Sequence, residues 1–278
     1  MDAQSPTGRV AIVTGASAGI GKAISRRLAS RGFRVVLAAR TPSALDSLAE
    51  ELTTAGCTVS ACIADVSSLE SLEHLTEFTI RTFGRIDVLV NNAGGDCFAE
   101  TDQISPERIQ QTIQTNLTGA IWLVRLVLPQ MKKQGSGSIV NMASTAGKHG
   151  PAYGGVYAAT KAGLIGLTQG LRGELHGSRI RVSAVCPGFT KDGGIYDRIV
   201  QLTGKRISPL VGGTTAEAVA AAVEKAIRSG GPEYIVNWPP LRPMMILREC
   251  LPTFAETLIL AASRRFLRRA ATAESVER

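Results

Sequence analysis

The sequence predicts an α/β fold: one domain built on a doubly wound parallel sheet, followed by an amphipathic helical extension. Three observations carry this. Short apolar runs alternate with segments of helical spacing over residues 1–238. The first run leads straight into the glycine-rich turn Thr14-Gly15-Ala16-Ser17-Ala18-Gly19-Ile20-Gly21, which opens a helical pattern. After the last run the composition changes at Trp238-Pro239-Pro240-Leu241-Arg242-Pro243, and a new apolar stripe occupies residues 239–278.

The elements follow in order. Arg9–Val13 is a short buried strand, and Lys22–Ala29 continues the helix after the glycine turn. Val35–Ala39 is the second strand. Ser43–Ala55 has helical spacing and is opened by Pro42, which suits a first turn because its missing N–H would be unpaired there anyway. Thr58–Ile63 is a third strand running to Asp65, and Ile86–Val90 a fourth. A long helical region lies within Pro106–Lys133, and Gly137–Met142 is the fifth strand. Tyr157–Leu175 is helical and Ile180–Val185 is the sixth strand. Thr215–Ser229 is a helix with a threonine at its start, and Tyr234–Val236 closes the sheet. Strictly alternating strands and helices imply parallel pairing with helices on both faces.

Composition narrows the function. Apolar residues make up 44% of 278, enough for a sizeable core. The formal charge of +8, from 31 basic and 23 acidic residues, suits an anionic small ligand, an anionic lipid surface or nucleic acid. Aromatics are only 5% and no nucleic-acid module is present, so nucleic acid is excluded as a partner. Five cysteines, an odd number without a C-x-x-C, indicate reduced thiols and a cytoplasmic location. The N-terminus has no apolar signal core, and no run reaches the ~18 apolar residues of a spanning helix. No metal is expected.

Tyr157-Ala158-Ala159-Thr160-Lys161 places a phenol and an ammonium on one helix face, with Ser144 shortly before them. A free tyrosine titrates near ~10. A fixed cation beside it favours the phenolate and is expected to pull that value toward the range useful for proton exchange. A serine hydroxyl delivered from the preceding loop could hold the oxygen of a reacting carbonyl. The turn ahead of the first helix supplies the other half of a reaction site. Its glycines allow close backbone approach, and the helix N-terminus attracts a pyrophosphate.

With the turn spaced G-x-x-x-G-x-G, Asp65-Val66, Asn91-Asn92-Ala93-Gly94, Asn116, Ser144, Tyr157/Lys161 and Pro187-Gly188 in order, the chain resembles the short-chain dehydrogenase/reductase superfamily from Arg9 to Asn237. The resemblance implies a Rossmann-type fold and a carbonyl–alcohol oxidoreductase acting on a small lipophilic substrate. It implies a catalytic set of Asn116, Ser144, Tyr157 and Lys161: Ser144 on the substrate oxygen, Tyr157 as proton donor or acceptor, Lys161 supporting both the phenol and the nicotinamide ribose, and Asn116 anchoring a water. It implies a cofactor site of Gly15, Ser17, Gly19, Ile20, Gly21, Arg40, Asp65, Val66, Asn92, Ala93, Gly94, Tyr157, Lys161, Pro187, Gly188 and Thr190. A dehydratase or epimerase using the same site, and a non-catalytic dinucleotide-binding scaffold, are the alternatives.

The second strand ends Ala38-Ala39-Arg40, with no acid before Asp46. A carboxylate there would repel a ribose 2′-phosphate, whereas a guanidinium can chelate it, so NADP(H) is the expected cofactor. One departure stands out: Pro187-Gly188 is followed by Phe189-Thr190-Lys191-Asp192 where the family pattern is Pro-Gly-x-x-x-Thr, which leaves the nicotinamide-anchoring contact open, with Thr190 and Asp192 as the candidates to replace it. Lys148 and His149 face either a substrate carboxylate or solvent. Gly163, Gly166, Gly170 and Gly173 each cost about 1 kcal/mol relative to alanine in a helix. They predict close packing on the chain's own sheet or, as the resemblance implies, in a homodimer or homotetramer. In the extension, Leu251, Phe254, Ala255, Leu258, Ala262, Phe266 and Ala270 recur at helical spacing, with Arg264, Arg265, Arg268 and Arg269 opposite. That stripe is expected to pack near the substrate entrance or across a subunit contact, or else to touch a membrane peripherally through residues 251–270, with fraying after Ala271.

Overall fold

The computed structural model describes residues 8–191, 195–204, 206 and 211–276. The chain forms β1 (Val10–Thr14), α1 (Gly19–Ser30), β2 (Arg34–Ala39), α2 (Pro42–Thr54), β3 (Val59–Ile63), α3 (Leu69–Phe83) and β4 (Val88–Asn91). It continues as α4 (Pro106–Ile113), α5 (Gly119–Gln134), β5 (Gly137–Met142), α6 (Gly155–Glu174), β6 (Ile180–Pro187) and β7 (Thr190–Lys191). It ends with α7 (Ile195–Thr203), β8 (Thr214–Thr215), α8 (Ala216–Ser229), β9 (Glu233–Val236), α9 (Arg242–Cys250) and α10 (Pro252–Val276). Seven strands pair in parallel in the order β3-β2-β1-β4-β5-β6-β9, the doubly wound sheet the alternation predicts.

The sheet divides the core in two. On one side Ile24, Leu28, Leu45, Leu48, Val219 and Val223 bring α1, α2 and α8 down on it. On the other, Leu72, Leu75, Leu123, Val127 and Leu171 seat α3, α5 and α6. Each such leucine contributes about 1.5–3 kcal/mol by leaving water.

Besides α7 and the short β7–β8 pair, the structure departs from the expected elements in three places. Residues 69–83 form α3, where Thr76, Thr79 and Ile80 weaken the local helical signal. Packing overrides that weakness, and the two threonine hydroxyls donate back to Leu72 O and Leu75 O at 2.9 and 2.8 Å. The helical region after Pro106 is not continuous: a π-helical turn over Gln114–Thr118 separates α4 from α5 and turns Asn116 inward. The extension is two helices, and α10 runs on to Val276 without ending at Ala271.

The expected stripe is corrected in part. Leu251, just before α10, and Phe254 and Leu258 are exposed, at 54%, 57% and 42%. Ala255 and Phe266 turn inward as expected, joined by Ser263, Leu267 and Ala271, and the Ala270 side chain lies outside the described ones. Apolar residues occupy more of this helix's circumference than one contact can cover, so periodicity alone could not tell which arc would be buried.

A buried polar chain ties the sheet to the helix that carries Tyr157 and Lys161. Asn91 Nδ2 donates to Asn141 Oδ1 at 3.0 Å, and Asn141 Nδ2 donates to Thr168 Oγ1 at 2.9 Å, joining β4, β5 and α6. Asn141→Ala should lower stability by about 1–3 kcal/mol, because two buried partners lose their bond. Urea unfolding measures this, and an unchanged midpoint would show that the chain of amides does not hold α6.

Candidate active site

The strand order reverses between β1 and β4, so the carboxyl ends of those strands part and leave a crevice above the sheet. A cavity of about 1250 Å³ begins there and runs to α10.

At its near end β1 enters the glycine turn. Gly15 sits at φ +64°, a conformation L side chains rarely adopt, and a side chain at Gly21 would collide with the Gly15 carbonyl. Both glycines are needed to bring α1 this close. The N-terminus of α1 has no capping side chain and no acid in its first turn. Its unpaired N–H groups and positive dipole end therefore meet the cavity, which Ser17, Ala18, Gly19 and Ile20 line. That is a cradle for a pyrophosphate, so the residues present fit a dinucleotide.

The other residues of the expected cofactor site divide by placement. Arg40, Val66, Asn92, Ala93, Gly94, Pro187, Gly188 and Thr190 line the cavity. The Asn92 carboxamide braces the turn, donating to Thr14 O at 2.9 Å, and Thr14 Oγ1 accepts from the N–H groups of Asn92 and Ala93. Asp65 lies outside the lining. Its Oδ1 accepts from the Ser67 hydroxyl and N–H, which together with the charge of Arg40 hold the carboxyl below its ordinary range despite partial burial. Thr190 Oγ1 donates to Gly188 O at 3.1 Å. Asp192, Gly193 and Gly194 fall outside the described residues.

Beyond β5 the chain delivers Ser144, whose Oγ accepts from Ala146 N at 3.1 Å and donates to Pro187 O at 3.3 Å. Tyr157 and Lys161 come from the first turns of α6. The Lys161 ammonium lies 5.6 Å from the centre of the Tyr157 ring and donates to Met142 O at 2.9 Å. Asn116, 1% exposed, clamps the neighbouring loop: its Oδ1 accepts from Gly95 N, and its Nδ2 donates to Gly95 O and Thr160 Oγ1. A Cβ at Gly94 would stand 3.1 Å from Asn116 Oδ1 and 3.4 Å from Lys161 Nζ, so the four residues of the expected catalytic set converge on one end of the cavity.

The expected fall in the phenol's pKa is not found. Burial pushes Tyr157 up to about 12, outweighing the Ser144 hydroxyl, which hydrogen-bonds toward the phenolate, and the nearby Asp96 charge adds to the rise. Burial likewise pushes Lys161 down to about 8. Desolvation disfavours the charged form of each group, and here it dominates both.

Three contributions lie outside the expected set. Phe98 packs beside Tyr157 with ring centres 6.0 Å apart. The loop before α6 holds Tyr153 at φ +64°, and its carbonyl accepts from Ala99 N. The far wall comes from the extension, through Met244, Met245 and Arg248 of α9 and Ile259, Ala262 and Leu267 of α10. Lys148 is not turned to the cavity but pairs with Glu233 at 3.0 Å. His149 does line it, and burial together with the neighbouring Arg248 lowers its pKa. Among the described residues no cluster could hold a metal, and no helix is long and apolar enough to cross a membrane.

A glycine cradle at a sheet switch point, joined to a Ser–Tyr–Lys cluster, defines a nucleotide-binding oxidoreductase. The model of the short chain dehydrogenase family matches residues 9–198, and the chain belongs to that family. It is 40% identical to the ketoacyl reductase HetN of Nostoc sp. over 237 residues, which are 84% of this chain and 80% of HetN. It is 39% identical to the FabG 3-oxoacyl acyl-carrier-protein reductase of Thermotoga maritima over 182 residues, 66% of this chain and 74% of the relative. A variant of actinorhodin polyketide ketoreductase, crystallised with NADPH, superposes with a TM-score of 0.75 at 32% identity, covering 85% of this chain and 98% of that one. A Burkholderia phymatum member of the family, crystallised with NAD, gives 0.80 at 27% identity over 90% and 96% of the two chains.

Proposed function

We propose that the protein is an NADP(H)-dependent carbonyl reductase for 3-ketoacyl thioesters, with Tyr157 as its general acid. The observation that carries this reading is one cavity joining the α1 cradle to Ser144, Tyr157 and Lys161. Ketoacyl reductases among the relatives support the substrate class.

When bound, the nicotinamide supplies a hydride to the carbonyl carbon. Gly15, Gly19 and Gly21 give its pyrophosphate room, and Arg40 takes the 2′-phosphate. Ser144 donates to the substrate oxygen as negative charge grows on it. Tyr157, protonated because burial holds its pKa near 12, gives that oxygen its proton. An alkoxide is a stronger base than a phenolate, so the transfer runs downhill in the direction of reduction. Lys161, charged below about 8, then stabilises the phenolate left behind.

Two further features complete the reading. Gly166, Gly170 and Gly173 open onto free space along the exposed face of α6 while Gly163 packs on Leu117, which supports a homodimer or homotetramer through that face. Exposed Leu251, just before α10, and exposed Phe254 lie on the same outward side as exposed Arg265, Arg268 and Arg269, which supports peripheral contact with an anionic lipid surface.

Tyr157→Phe should cut reductive turnover at least a hundred-fold while NADPH affinity stays within about two-fold; turnover near the parent rate would remove Tyr157 from the step. Arg40→Asp should reverse the preference from NADPH to NADH in calorimetric titration, and equal binding of both by the parent protein would refute the NADP(H) assignment. The reductive kcat should fall as pH rises through about 8, because a lysine with a lowered pKa keeps its proton only below that value. A profile flat across that region would separate Lys161 from the chemistry.

A further inference from the structure

The far half of the cavity is made by a segment outside the seven-stranded sheet. Met244 and Met245 of α9 and Leu258, Ile259, Ala262 and Leu267 of α10 line it. This wall reaches the reacting end. Leu267 belongs to the same apolar cluster as Phe98, Tyr196, Ile199 and Phe266, and Phe98 packs on the Tyr157 ring at 6.0 Å. An occupant whose carbonyl sits at Ser144 and Tyr157 therefore meets hydrocarbon on the α10 side.

The geometry points to an acyl-chain subsite formed by the inner faces of α9 and α10, which makes long-chain 3-ketoacyl thioesters better substrates than short-chain ones. This rests on the ketoacyl reductase reading of the site. Two features fit an alkyl chain. The methionines are unbranched and adaptable, so they can follow a flexible chain. Ala262 and Ser263 are the small positions of the wall; the serine hydroxyl is turned back onto Ile259 O at 2.8 Å, and Ala262 stands one turn from Leu258 and Ile259, so space is left where a larger side chain would fill it. The cavity's 1250 Å³ exceeds the ~300–1,000 Å³ that encloses one drug-sized ligand, leaving volume for a chain beside a cofactor. Each methylene moved from water into such a wall raises affinity about four-fold.

The test compares 3-oxobutanoyl and 3-oxododecanoyl N-acetylcysteamine thioesters with NADPH, in the full chain and in Ala262→Phe and Met244→Phe. The parent enzyme should favour the longer substrate at least ten-fold in kcat/KM. Each variant should lower that ratio at least ten-fold, and Ala262→Gly should preserve it. In parallel, calorimetry with dodecanoyl N-acetylcysteamine, which has no ketone to reduce, should show binding to the NADP⁺-loaded parent and at least ten-fold weaker binding to the two phenylalanine variants. Absence of turnover with either ketone overturns the ketoacyl reading, and the dodecanoyl titration then decides the subsite alone. Equal efficiency on both chain lengths, or ratios and binding unmoved by both variants, overturns the subsite.

Discussion

Lys161 carries its ammonium into the interior with 5% of its surface exposed, and the elements around it are arranged to hold it there. Such a charge is costly to bury unless an acceptor meets it, and the end of β5 supplies one in the Met142 carbonyl. Gly94 leaves room beside it where a side chain would crowd Asn116 and the ammonium together. Asn116 reaches this place because the helix after Pro106 opens into a π-helical turn, a feature often found at functional sites. The Tyr157 ring stands over the same ammonium, one helical turn away. A strand end, a loop glycine, a distorted helix and the first turns of α6 thus share one constraint.

The same burial sets the protonation states. A phenol near 12 and an ammonium near 8 are both displaced toward their neutral forms. At neutral pH the phenol therefore holds its proton, and the ammonium keeps its charge only below about 8. At the opposite end of the cavity the electrostatics reverse in purpose. The α1 N-terminus has no side-chain cap and no acid, so its partial positive charge is left for an anion. Arg40 extends that field at the end of β2.

Much of this was legible in the sequence, and for a physical reason. The glycine turn, Ser144, Tyr157/Lys161 and the strand runs are local patterns: a glycine requirement, an i,i+4 spacing, a buried β-branched stretch. Their meaning does not depend on distant residues. α3 was less legible because its threonines speak against a helix until packing of Leu72 and Leu75 overrides them. The phenol's pKa was misjudged because proximity of a cation can be read from spacing, whereas desolvation depends on what covers the pair.

The extension marks the boundary most clearly. By itself the sequence determined that residues 251–270 would form an amphipathic helix, since periodicity is a property of the chain alone. Only the tertiary structure decided which arc of α10 turns inward, burying Phe266 and Leu267 and leaving Phe254 and Leu258 exposed. It also set α9 and α10 against the cavity, beside Phe98. An amphipathic helix specifies that it must cover apolar surface; which surface is set by the shape the rest of the fold leaves uncovered.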